Sequence, residues 1–124
     1  MEVSREAALT LQFINQTNRS IFLTGKAGTG KTTLLKEIVS TTHKNTVLVA
    51  PTGIAALNAG GVTIHSLFQL PFATFLPTYD FINSDSEYFR FENYSTLIRY
   101  SKMNNIKKAV IKNMELLIVD EVSM

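Results

Sequence analysis

The residues with most to offer chemically are Gly25-Lys26-Ala27-Gly28-Thr29-Gly30-Lys31-Thr32, with Thr33 immediately after. They satisfy the nucleotide-triphosphate loop spacing at every fixed position. Glycines let successive backbone N–H groups approach phosphate oxygens with no Cβ in the way. A helix starting at the loop adds its positive end and its unpaired N–H groups. On this reading Gly25 to Thr33 cradle the phosphates of ATP, Lys31 reaches the β- and γ-phosphates, and the Thr32 hydroxyl binds Mg²⁺. Such a pattern arises by chance in roughly one chain of this length in a few hundred. The second candidate is Leu116-Leu117-Ile118-Val119-Asp120-Glu121, an apolar strand that ends in two carboxylates. In a parallel sheet, the carboxyl ends of strands line the ligand crevice. Asp120 would hold Mg²⁺, directly or through water, and Glu121 would orient or deprotonate an attacking water. The pair favours an ATPase, and the absence of an Asn-Lys-x-Asp guanine reader disfavours a GTPase. A third candidate is Pro51-Thr52-Gly53, at the end of an apolar run. Thr52 and Gly53 could bind a second anion or simply cap a helix.

These groups need elements to hold them. Ala7, Ala8, Leu11 and Ile14 recur at helical spacing, which predicts a helix over 4–16. Ser20-Ile21-Phe22-Leu23 reads as a short buried strand entering the phosphate loop. Residues 31–40 carry Leu34, Leu35, Ile38 and Val39 on one helical face. Thr46 to Ala50 reads as a second buried strand, and Ile54 to Asn58 as a short helix stopped by Gly60-Gly61. Asn104 to Asn113 reads as a helix and Glu115 to Val119 as a third strand. Strands alternating with helices predict an α/β fold, with a parallel sheet covered on both faces.

Composition narrows the function further. The chain has 124 residues, with 45% hydrophobic and 18% charged side chains, which suits one globular domain. Cysteine is absent and only two histidines occur, so thiolate chemistry, disulfides and a histidine-rich metal cluster are excluded. The longest apolar runs are four residues, so no membrane span is expected, and no secretory signal opens the chain. A cytoplasmic protein is the expectation. The net charge of +2 is too mild to name a polyanionic partner by itself. It is unevenly spread: +3 over residues 1–71, −2 over 72–101 and +1 over 102–124. Residues 72–101 also hold nine of the twelve aromatics. They could stack on bases, but the acidic balance of the segment favours packing. Lys102, Lys107, Lys108 and Lys112 read as a solvated helix surface.

A resemblance joins these pieces. Gly25 to Thr33, Val47 to Asn58, Thr63 to Phe68 and Asp120-Glu121-Val122-Ser123-Met124 resemble the first motor domain of superfamily 1 DNA helicases, within the Pif-one/RecD-like group. The resemblance is close from Ile21 to His65 and resumes at Met114. It implies a RecA-like P-loop core and ATP-driven 5′ to 3′ movement on single-stranded DNA. By position it places Pro51, Thr52 and Gly53 against the DNA backbone and His65 just beyond. A lone histidine among apolar neighbours is otherwise a hydrogen-bonded packing residue. The family's adenine-reading glutamine would fall near Ala8, and Gln12 and Gln16 lie off that position. Gln69-Leu70-Pro71 only superficially resembles the Gly-Asp…Gln motif that follows the acidic strand in the family. A second motor domain with an arginine finger would belong to the remainder of a longer chain, of which this segment is the N-terminal part. Two other readings stay open: an AAA-type P-loop ATPase, and a non-catalytic nucleotide-binding or interaction module. A chain ending on a central strand would also leave apolar surface open to self-association.

Overall fold

The computed structural model describes residues 4–80, 91–100 and 102–123. Helix α1 (Arg5–Gln16) starts at Ser4, whose hydroxyl accepts from the Ala7 N–H at 3.1 Å. Helix α2 (Lys31–Thr41) starts at Gly30, within the phosphate loop. Four residues then lead into strand β1 (Thr46–Ala50). So short a link forces α2 to run back along β1, and both elements are about 16 Å long. The first turn of α2 therefore lies at the carboxyl end of β1.

Helix α3 (Gly53–Ala59) ends at Gly60, where φ is 81° and the Gly60 and Gly61 N–H groups both reach the Ala56 carbonyl. The turn delivers strand β2 (Val62–Thr63), which pairs parallel to β1 through Val49↔Val62 and Ala50↔Thr63. Helices α4 (Ile64–Phe68), α5 (Tyr94–Tyr100) and α6 (Asn105–Asn113) follow, and strand β5 (Leu116–Val119) closes the sheet. β5 is also parallel to β1, in register from Thr46↔Leu116 to Val49↔Val119. The strand order is β2-β1-β5, with β1 central and Val49 and Ala50 fully buried. Asn45 sets the β1–β5 register. Its carbonyl accepts from the Glu115 and Leu116 N–H groups at 2.9 and 3.1 Å, and its amide donates to the Asn113 carbonyl at 3.3 Å.

Burial on one face joins Ile14 of α1, Ile38 of α2, Leu48 of β1, Ala59 of α3 and Ile118 of β5, with Leu11, Leu34 and Leu35 packed against them. Val47 alternates to the other face, where it lines an open groove of about 650 Å³ with Ile106 and Val110 of α6. Helices thus flank both faces, as expected for an α/β sheet.

Two departures from the sequence reading stand out. Residues 17–26 form no strand, although Ser20 to Leu23 have the composition of one. A strand exists only where a neighbour supplies a ladder of hydrogen bonds. Among the described residues β5 pairs with β1 alone, and Phe22 stands 74% exposed. The middle stretch, to which the sequence reading assigned no element, forms a small parallel sheet of β3 (Thr74–Phe75) and β4 (Phe91–Glu92) beside α5. Buried Asn93 organises it, donating from its amide to the Asp80 carbonyl at 2.7 Å and accepting from the Thr96 N–H at 3.1 Å. Phe75 meets Tyr94 edge-on and Tyr79 stacks on Tyr94, so part of the aromatic store does pack. Phe81, Tyr88 and Phe89 lie outside the described residues.

Gly61 is the tightest point of this framework. A Cβ there would stand 2.1 Å from the Leu48 carbonyl oxygen, a backbone atom of the central strand. Gly61→Ala should therefore cost on the order of 1–3 kcal/mol, as overpacking does, read as a lower denaturant midpoint. An unchanged midpoint would show that α3 and β2 approach β1 less closely.

Candidate functional site

The phosphate loop takes its shape from the residue types that sequence reasoning singled out. Gly28 and Gly30 have φ of 79° and 88°, left-handed conformations that a side chain disfavours. Between them, the Thr29 N–H and hydroxyl both donate to the Lys26 carbonyl, at 3.3 and 2.7 Å. The Leu34 N–H bonds the Gly30 carbonyl at 2.9 Å, so the helix begins directly from the loop. Lys31 folds back across the ring and donates from Nζ to the carbonyls of Gly25 and Lys26, at 2.5 and 2.8 Å. An ammonium has three N–H donors. Two hold the loop closed and the third is left for an anion.

The sheet brings the remaining candidates to the same side. β1, β2 and β5 are parallel, so their carboxyl ends share one edge. That edge carries His65 after β2, Pro51-Thr52-Gly53 after β1 and Asp120-Glu121 after β5. The backward run of α2 places Gly25 to Thr33 there as well. Asp120 extends the ladder by one residue, its N–H donating to the Val49 carbonyl at 2.9 Å. Its carboxylate accepts from the Glu121 N–H at 2.9 Å, which fixes the first acid. Glu121 is exposed, with φ of 52°. Positive φ at a side-chain-bearing residue stores local strain, of the kind that collects at working sites. The Thr32 hydroxyl and the Asp120 carboxylate are hard oxygen donors, which suits Mg²⁺ held by few protein groups and completed by water and phosphate oxygens.

Two candidates are already engaged within the fold. The Thr52 hydroxyl accepts from the Ala55 N–H at 3.2 Å, the helix-cap reading. Its own hydrogen remains able to donate to an anion. His65 is a packing residue, but not a hydrogen-bonded one. Its ring lies flat on Phe72 at 4.6 Å, and its buried Nδ1 has no partner. Stacking on an aromatic, rather than a polar neighbour, orients this side chain. Gln12 and Gln16 bond each other on the exposed side of α1, at 3.3 Å. Sequence reasoning missed the roles of Phe72 and of Lys107, whose Nζ donates to the Ser66 carbonyl beside His65 at 2.7 Å. Nothing in the pattern of lysines distinguished Lys107 from the solvated ones.

A family model described as PIF1-like helicase matches residues 5–124. The chain belongs to the PIF1-like helicase family. The ATP-dependent DNA helicase PIF7 of Trypanosoma brucei brucei is 47% identical over 66 residues, covering 52% of this chain and 7% of that protein. The ATP-dependent DNA helicase Pif1 of Campylobacter jejuni is 31% identical over 108 residues, covering 85% of this chain and 22% of that protein. Among solved structures, a Pif1 helicase from Bacteroides in complex with ADP-AlF3 and single-stranded DNA superposes with a TM-score of 0.76 at 40% identity. It is covered over 25% of its length by the whole of this chain. A structure of two Pif1 helicases coordinating at forked double-stranded DNA gives 0.78 at 40% identity, with 26% of that chain covered. The fold is thus the RecA-like P-loop fold, and this PIF1-like segment spans about a quarter or less of these relatives.

Lys31 closes the ring through two carbonyls and keeps one ammonium N–H uncommitted. Lys31→Ala should weaken Mg-ADP binding by tenfold or more in calorimetric titration, since a charge-assisted contact is worth about 1.5–3 kcal/mol. Equal affinity in the variant would place the nucleotide elsewhere.

Proposed function

We propose that this chain is the ATP-binding segment of an ATP-dependent DNA helicase that moves 5′ to 3′ along single-stranded DNA. One observation carries the proposal: the phosphate loop, the acidic pair and the Pro51-Thr52-Gly53 segment meet on one edge of one sheet. Relatives solved with ADP-AlF3 and single-stranded DNA support the choice of both ligands.

The residues divide the work by position. Backbone N–H groups of the loop and the start of α2 hold the phosphate chain, and Lys31 offers its remaining proton to a terminal oxygen. Mg²⁺, held through Thr32 and Asp120, would neutralise charge on the β- and γ-phosphate oxygens. Glu121 is exposed at the strand end, where its carboxylate orients water for in-line attack on the γ-phosphorus and accepts the proton released. The bond from the γ-phosphorus to its bridging oxygen breaks, leaving ADP and phosphate. Asp120 is tied through its N–H to the Val49 carbonyl, two residues before Pro51. A shift at the acidic end on loss of the γ-phosphate therefore passes directly into the strand that carries the DNA-contact segment.

The test uses the full-length helicase. Wild type should hydrolyse ATP faster when single-stranded DNA is added. Glu121→Gln should keep Mg-ADP affinity and lose turnover by about a hundredfold or more, the usual share of a general base. Turnover indifferent to DNA, or retained in the variant, would overturn the proposal.

A further inference from the structure

We infer that Lys107 is a positioning residue for the DNA-contact edge, holding α4 and its His65 in place from helix α6. The inference rests on the proposed function and deepens it, since it concerns the same single-strand contact. Helix α4 is five residues long and ends at Gln69, whose φ of 52° turns the chain out of the helix. That turn sends the Gln69 and Leu70 N–H groups both to the His65 carbonyl. In a continuing helix the Leu70 N–H would meet the Ser66 carbonyl instead. The Ser66 carbonyl is thus orphaned by the turn, and its donor among the described residues is the Lys107 Nζ, at 2.7 Å. A lysine is well suited to satisfy a carbonyl left open at a helix end.

Ser66 is tied on its other side too. Its N–H donates to the Thr63 hydroxyl at 3.1 Å. Thr63 ends β2 and pairs with Ala50, which directly precedes Pro51-Thr52-Gly53. Ser66 therefore joins β2 to α6, beside His65 in sequence. Of Lys102, Lys107, Lys108 and Lys112, Lys107 alone is half-buried and the other three are exposed.

Helix α6 is a firm support for this bond. Its cap, Asn104, accepts from the Lys107 N–H at 2.8 Å, so Lys107 is held through backbone and side chain alike. At the far end, the Asn113 carbonyl accepts from the Asn45 amide at 3.3 Å. Only Met114 and Glu115 separate α6 from β5, so the helix, about 13 Å long, runs back along that strand. Its first turn thus reaches the carboxyl edge, where α4 lies. Without the ammonium, α4 would be free to shift on the sheet and to carry His65 away from Thr52 and Gly53. The contacts run through α4 and β2 and leave the phosphate loop aside.

The experiment measures ATP turnover by the full-length helicase against oligothymidylate concentration, for wild type, Lys107→Met and Lys107→Arg. Methionine keeps an unbranched stem and removes the donors. Half-saturating DNA should rise about fivefold in Lys107→Met, the size of effect expected of a residue that touches neither ligand. Turnover at saturating DNA and Mg-ADP affinity should stay at wild-type values, and Lys107→Arg should restore half-saturation. Anisotropy of a labelled oligothymidylate across a salt series separates positioning from direct contact. The slope of log affinity against log salt should be equal in wild type and Lys107→Met, whereas a lost phosphate contact would reduce it by about one. His65→Ala should already remove what Lys107→Met removes, so the double variant should bind DNA as His65→Ala does. Wild-type half-saturation in Lys107→Met, a reduced salt slope, or additivity with His65→Ala would overturn the inference alone. If Lys107→Met loses Mg-ADP binding, Lys107→Gln, which keeps a neutral donor, is measured in its place, and the same loss there overturns the inference. No stimulation of wild type by DNA would overturn the proposed function with it.

Discussion

The parallel register between β1 and β5 is the constraint from which the site follows. Four paired positions align the two strands, and the bond from the Asp120 N–H to the Val49 carbonyl carries the alignment one residue beyond. Parallel pairing has a polarity that antiparallel pairing lacks: whatever follows each strand emerges on the same side. Asn45 enforces it from the far end, where a slip of β5 by one residue would turn Ile118 away from the helices that cover it. The chemistry at one edge is thus anchored by an amide at the other.

The same polarity explains why the phosphate loop needs no strand of its own to be well placed. α2 is fixed by Ile38, Leu34 and Leu35 against Leu48 and Ile118, and by the short link into β1. Thr42 and Lys44 in that link bond Asn15 and Thr17, tying α1 to the same layer. The loop is delivered by the helix behind it. The irregular approach of residues 17–26 meets it only at its end, where the Gly25 and Lys26 carbonyls accept from Lys31.

Legibility in the sequence tracked how local the cause was. The phosphate loop and the acidic pair were readable because glycine, lysine and carboxylate chemistry acts over a few residues. The helices were readable from periodicity and caps, as at Ser4 and Gly60. Ser20 to Leu23 misled because composition signals a strand while pairing depends on a neighbour far along the chain. β3 and β4 were invisible for the reverse reason: two residues each, their hydrogen bonds are set by Asn93 and the turn it organises. His65 was legible as a packing residue, but the ring that orients it lies seven residues on, with no periodicity to mark it.

The closed ring of the phosphate loop has a thermodynamic consequence. With Lys31 already bonded to two carbonyls, the cradle exists before any ligand arrives, and little chain entropy is lost when one binds. The third N–H of the ammonium can meet a phosphate oxygen without breaking either carbonyl bond, so ring closure and ligand capture do not compete.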